Sequence, residues 1–132
     1  MDTSAWLAAL HGRDQYHAPA ASALTRLRAA RVRLVVTDLI FAELHRHLLF
    51  AIGPARAANV VETLLADPLI DEVFIDAGHQ AAALGDWIHR YADQAFTLTD
   101  AVSFAVMRAE RLEAAFTFDR HFAVAGFRTI GA

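Results

Sequence analysis

The sequence predicts a single α/β domain built on a parallel sheet, and three observations carry that prediction. Short β-branched or aromatic runs alternate with segments of helical period, the pattern of a parallel sheet with crossover helices. The 132 residues are 56% hydrophobic with a mean hydropathy of +0.31, enough for one packed core and too apolar for a disordered chain. Four acids, Asp2, Glu43, Asp100 and Asp119, lie in or beside apolar stretches, which suits residues at the rim of a buried sheet.

The elements follow in order. A first strand would have to end at Asp2, so it is either very short or begins upstream, since a central strand needs about four or five residues. Ala20, Ala23, Leu24 and Leu27 give a weak helical stripe, and Arg33-Leu34-Val35-Val36 reads as a strand. Residues 38–50 form a helix that is apolar on nearly every side. Gly53-Pro54 opens the next helix, with Ala57, Val60, Val61, Leu64 and Leu65 on one face. Glu72-Val73-Phe74-Ile75 reads as a strand, and Leu84, Trp87, Ile88 and Tyr91 as a helical stripe. A second all-round apolar helix covers residues 100–107. The strands Ala114-Ala115-Phe116-Thr117-Phe118 and Phe127-Arg128-Thr129-Ile130 complete the chain. No repeat, linker or low-complexity segment interrupts residues 1–132.

Composition excludes several classes of function. Without cysteine there is no disulfide framework and no thiolate metal site, which fits a reducing, cytoplasmic setting. No basic leader followed by an apolar stretch is visible, so no signal peptide is expected, and the apolar runs are too short to span a membrane. No glycine-rich phosphate loop, dinucleotide fingerprint or nucleophile elbow is present. A phosphoacceptor receiver would need a lysine, and there is none; a haloacid-type phosphatase would need Asp-x-Asp where the chain has Asp2-Thr3-Ser4. The net charge of −3 is unusual for a nucleic-acid binder, but neutralising four clustered carboxylates would bring −3 to +1. All twelve basic residues are arginine, a side chain suited to bidentate phosphate contacts, although codon bias explains the same fact.

Stripping water from an unpaired carboxylate costs several kcal/mol. Asp2 and Asp119 would follow strands, Glu43 comes soon after another, and Asp100 begins a helix near the same edge. In open parallel sheets ligands sit beyond the carboxyl ends of strands, so the four acids are expected in one crevice. Clustered carboxylates suit the hard ions Mg2+ and Mn2+, which activate water and stabilise phosphoryl oxygens, so the crevice reads as a site of phosphodiester hydrolysis. Each acid also has a plainer reading. Asp100 suits a helix start with Thr99 as N-cap, Asp119 suits a loop cap, Glu43 could pair with His47, and Asp2 alone says little. The set carries the signal. The seven histidines read as non-ligands: His45 and His47 point to different faces, and only His121 lies close enough to Asp119 to touch substrate.

Asp2-Thr3-Ser4-Ala5, the isolated Glu43, Leu98-Thr99-Asp100-Ala101-Val102-Ser103, and Thr117-Phe118-Asp119-Arg120-His121-Phe122 followed by Gly126-Phe127 together resemble PIN-domain ribonucleases, most closely the VapC-type toxins of toxin–antitoxin pairs. The resemblance covers essentially the whole chain, and the last two motifs are its most specific part. It implies a three-layer α/β/α fold with a sheet of about five strands in the order 3-2-1-4-5. It implies a Mg2+- or Mn2+-dependent endoribonuclease acting on structured or translation-related RNA. The family's acids fall on Asp2, Glu43, Asp100 and Asp119: Asp2 and Asp100 as main metal ligands, Asp119 binding directly or through water, Glu43 completing the site or orienting the attacking water. Thr99 and Thr117 are the hydroxyls nearest the metal's water, and Asp93 is structural. The resemblance further implies a homodimer and a VapB-like antitoxin, for which residues 40–50 and the Trp87 face offer apolar surface; the plainer reading is that both face the core, and the Trp87 stripe is expected to. The contrasting expectation is a catalytically impaired RNA- or protein-binding module on the same fold, since the lead-in to Asp2 is missing.

Overall fold

The computed structural model describes residues 1–131. Helix α1 (Thr3–Leu10) follows at once on Asp2, and α2 (His17–Ala29) packs against it. Strand β1 (Leu34–Thr37) leads directly into α3 (Asp38–Ile52). Gly53, at φ +83°, makes the turn into α4 (Pro54–Leu65), a conformation that a side chain resists; Pro54 then occupies the first turn, where a missing N–H costs nothing. Strand β2 (Ile70–Val73) comes next, then α5 (Ala77–Ala82), a π-helical segment (Ala83–His89), α6 (Leu98–Ala109), β3 (Ala114–Thr117), α7 (Arg120–Val124) and β4 (Arg128–Gly131).

The expected elements are present, with three adjustments. The second strand lies two residues earlier than its β-branched run suggested, at Ile70–Val73, because it pairs residue for residue with β1 from Leu34↔Ile70 to Thr37↔Val73. The segment around Trp87 winds as a π-helix: Ala83 and Trp87, four apart, stay buried while Leu84 swings out to 45% exposure. Thr97, not Thr99, caps α6.

The sheet departs most from expectation. Among the described residues four strands form two parallel pairs, β1 with β2 and β3 with β4, where one sheet of about five strands was expected. Among the described residues, Met1-Asp2 bridges the inner strands of the two pairs by hydrogen bonds. The Met1 amine donates to the Val35 carbonyl at 2.7 Å, and the Asp2 amide donates to the Phe116 carbonyl at 3.0 Å. Two residues therefore stand where the expected central strand would run. Beside them lies a cavity of about 510 Å³ whose walls include Val35, Ile40, Val106, Ala115 and Ile130.

Three apolar clusters hold the halves. Trp6, fully buried, joins α1 to Leu34 and Val36 of β1 and to Ile40, Phe41, Leu44 and Leu48 of α3. Ala5, Ala8, Ala20 and Ala23 pack α1 and α2 on Phe116 of β3. The largest cluster centres on α6, where every residue from Asp100 to Met107 is buried and Phe104 meets Trp87, Phe96 and Phe122 edge-on. The Trp87 stripe is therefore core, with Arg108 over its indole at 4.4 Å. By contrast α3 buries one face and leaves Phe50 79% exposed. No helix among the described residues is long and apolar enough to cross a membrane.

Candidate active site

Each of the central acids is placed by the start of a helix. Asp2 is the N-cap of α1: its Oδ2 accepts the Ser4 amide at 3.3 Å and the Ser4 hydroxyl at 2.7 Å. Asp100 is the third residue of α6 and forms a reciprocal capping box with Thr97. The Thr97 hydroxyl accepts the Asp100 amide at 3.1 Å, and Asp100 Oδ2 accepts the Thr97 amide at 2.9 Å. Asp119 is the N-cap of α7, its Oδ1 accepting the His121 amide at 2.9 Å. The capping explanations of Asp100 and Asp119 are thus correct and compatible with a site. In each acid one oxygen anchors a helix start, and the other accepts no hydrogen bond among the described residues.

These anchors converge. Asp100, Asp119 and His121 each offer a ligand atom within 4.8 Å of the other two. His121 Nδ1 lies 3.4 Å from Asp119 and 3.6 Å from Asp100, and it is buried with no hydrogen-bond partner. Asp2 joins through Thr117, whose hydroxyl donates to Asp2 Oδ2 at 3.0 Å and accepts the Asp119 amide at 2.9 Å. Ser4 closes the network: its oxygen accepts the Phe118 amide at 3.0 Å while its proton goes to Asp2. Burial is the main force pushing the Asp100 pKa upward, and the charges of Asp119 and Asp2 add to it, against the opposing hydrogen bonds from Thr97.

Glu43 stands apart from this cluster. It is half-buried on α3 and tied to the site's edge by the Thr3 hydroxyl, which donates to Oε2 at 3.3 Å; His47 is exposed and forms no hydrogen bond or ion pair with it among the described residues. Thr117 sits at the centre of the network, whereas Thr99 only lends its backbone carbonyl to Ser103 at 2.8 Å. Asp93 is exposed, held by its neighbour Gln94. Two contributors were not expected. His121 reads as a non-ligand by type, yet its place two residues after a helix-capping acid folds it back onto that acid. Ser4 was visible only as part of Asp2-Thr3-Ser4.

The donor set fits a divalent cation. Two carboxylates and a buried, unpartnered imidazole nitrogen each offer a ligand atom within 4.8 Å of the others, and each carboxylate keeps one oxygen free of hydrogen bonds among the described residues. The charges of Asp119 and Asp2 act against an ionised Asp100, and no arginine forms an ion pair with any of the three among the described residues.

The PIN domain family model matches residues 1–128 of the chain. The 23S rRNA-specific endonuclease VapC20 of Mycobacterium tuberculosis, from two strains, is 31% identical, over 96% of this chain and 93% of that protein. The crystal structure of Mycobacterium tuberculosis VapC20, described as a toxin cleaving the sarcin–ricin loop, superposes with a TM-score of 0.82 at 28% identity, over 96% of this chain and 93% of that one.

Proposed function

The chain belongs to the PIN-domain family, and on that premise we propose that it is a VapC-type toxin: a Mg2+- or Mn2+-dependent endoribonuclease that hydrolyses RNA phosphodiester bonds and is held in check by a VapB-like antitoxin. The observation that carries this reading is the Asp100–Asp119–His121 cluster with its unpartnered nitrogen, fixed by two helix caps. The relative's described target makes 23S rRNA, at the sarcin–ricin loop, the first substrate to test.

Asp100 and Asp119 would hold the cation through their carboxylates, with His121 as a nitrogen donor and Asp2 completing the set. A bound Mg2+ or Mn2+ would lower the pKa of its water and offset charge on the phosphoryl oxygens during displacement. Thr117 keeps Asp2 and Asp119 in register, and Ser4 keeps Asp2 turned toward them. Glu43, steered by Thr3, is the carboxylate left to orient the attacking water or take its proton. The protein acts in the cytoplasm, as a homodimer, and the exposed Phe50, Leu65 and Phe74 offer apolar surface for a second copy or the antitoxin.

The rival reading is an impaired binding module on the same fold, which keeps RNA without cutting it. Purified, antitoxin-free protein is incubated with 23S rRNA and a sarcin–ricin hairpin in Mg2+ or Mn2+, in EDTA, and as Asp100→Asn. Cleavage that EDTA and the substitution both abolish supports the toxin reading. Cleavage indifferent to both overturns the metal mechanism, and RNA binding without cleavage by the folded protein supports the module.

A further inference from the structure

Beside the acid cluster lies an open concavity of about 540 Å³, bounded by Ser4, Asp14, Tyr16, Phe118, Asp119 and Arg120. Its floor is an aromatic pair: Tyr16 and Phe118 stack with centroids 4.7 Å apart and planes 14° from parallel. Phe118 covers one side of the tyrosine, yet Tyr16 remains 44% exposed. The platform is fixed to the acids. Phe118 precedes Asp119 in the chain, and its amide donates to the Ser4 hydroxyl, which in turn donates to Asp2 at 2.7 Å. Asp14, the other acid on this wall, accepts the Tyr16 amide at 2.7 Å and so fixes the loop carrying the ring.

The surrounding charge is suited to a nucleotide. Of the arginines that could track phosphates, Arg28, Arg33 and Arg108 are engaged in ion pairs with Asp67, Asp71 and Asp86. Arg120 is exposed, follows Asp119 directly, and forms no ion pair among the described residues. A flat aromatic face, a free guanidinium and a metal-binding acid cluster along one short path match a base, its phosphate and the bond to be cut. RNA bases that proteins read are commonly unstacked and laid on such rings.

We propose that Tyr16, backed by Phe118, stacks one unstacked base of the RNA next to the scissile phosphate, with Arg120 engaging the adjoining phosphate. The inference rests on the ribonuclease reading but needs RNA binding alone. Tyr16 is a positioning residue, so its loss weakens capture of the RNA and spares the acids.

The test uses Tyr16→Ala, →Leu, →Phe and →Trp in the full chain, each with its melting temperature. Binding of a fluorescent sarcin–ricin hairpin is followed by anisotropy in EDTA, and KM and kcat are measured in Mn2+. Stacking predicts that Ala and Leu raise Kd and KM about 5- to 100-fold, while kcat changes little and Phe and Trp stay near wild type. Leu is the decisive variant, because it can still pack on Phe118 but has no aromatic face. Wild-type affinity in Leu, or a loss in Phe as large as in Ala, overturns the proposal. A wild-type protein that binds without cutting, with the same ranking of variants, keeps the stacking role and removes the nuclease reading. A wild-type protein that neither binds nor cuts RNA removes both.

Discussion

The two sides of the acid cluster are built to different standards. Asp100 and Asp119 each sit at the start of a helix that follows or precedes a regular element, with α6 buried along eight consecutive residues and β3 paired to β4. Asp2 instead hangs between the two strand pairs on one residue's worth of sheet, reached through a single hydrogen bond on each side. What compensates is side-chain chemistry: Ser4 and Thr117 together give Asp2 Oδ2 three donors. A site position can thus be held by a backbone ladder or by a hydroxyl network, and the second is far easier to break with one substitution.

The largest effect should come from the well-built side. Asp100→Asn removes a charge from the proposed cation site while its amide oxygen can still accept the Thr97 N–H, so the helix start should survive and the chemistry should not. Cleavage should fall on the order of 10³-fold, the equivalent of several kcal/mol of lost charge stabilisation. Single-turnover rates on the same RNA check it, and a loss below tenfold would mean that the cation is held without Asp100.

Next is the hydroxyl network. Thr117→Val deletes the donor to Asp2 and the acceptor for the Asp119 amide while keeping the β-branched shape inside β3. Support groups around metal ligands are worth about 10- to 100-fold in metal affinity or activity. Thr99→Val, which touches neither acid, should stay within a few-fold. Titration of Mn2+ against cleavage rate separates the two, and equal losses would show that Thr117 has no special place.

The third prediction repairs the weak side. The gap beside Met1-Asp2 is lined mostly by apolar residues, among them some from both strand pairs, with Arg33, Arg111, Glu113 and Arg128 also in its wall. Three β-branched residues placed ahead of Met1 would extend the dipeptide into a strand that pairs with β1 and β3. Burying their side chains outweighs the ordering cost by roughly 1–2 kcal/mol, a rise of about 5 °C in melting temperature. The Met1 amine adds a signature: burial lowers its pKa from 8.0 to about 6, opposed by the charge of Asp2. A group depressed in this way favours the native state when deprotonated, so its contribution is present above pH 8 and is lost as pH falls from 8 to 6. In the extended chain that position is an amide, and the pH dependence in this window should vanish. An unchanged melting curve would mean that the gap does not accept a strand.

Much of this was legible in the sequence, and the failures have physical causes. Strands β1 and β3 and helices α3, α4 and α6 announce themselves because apolar period and turn residues agree, as at Gly53-Pro54. The sheet order was accessible only through family resemblance, since pairing is set by contacts distant in sequence, and the five-stranded expectation met two pairs bridged by Met1-Asp2. Asp2, Asp100 and Asp119 stood out by the cost of burying charge, and the structure clusters Asp100 with Asp119 and links Asp2 to Asp119 through Thr117. His121 was expected beside Asp119, but histidine type and spacing do not reveal that a short helix turns its ring back onto its own cap and toward Asp100. The place of Thr97 as cap was missed because Thr97 and Thr99 are equally good candidates until the backbone chooses.

The smallest expected effect concerns stability on the well-built side. Burial first, then the charges of Asp119 and Asp2, raise the Asp100 pKa, so the native state takes up a proton there more readily than the unfolded chain does. The sign follows from linkage. Stability contributed by Asp100 is greatest in acid and declines as pH rises from its ordinary value of 3.8 through the raised native one. This is opposite in direction to the Met1 amine, so the two sides can be told apart in one pH series of melting temperatures in EDTA. Asp100→Asn should flatten the acid-side slope and leave the melting temperature at neutral pH unchanged or slightly higher, because the repulsion is gone and the cap to Thr97 is retained. Mn2+ should stabilise wild type more than the variant. A large fall in the variant at every pH would mean that the carboxylate serves chiefly as the second half of the Thr97 capping box, whose loss costs about 1 kcal/mol in typical cases. The asymmetry between the two sides would then lie in helix capping rather than in how each holds a ligand.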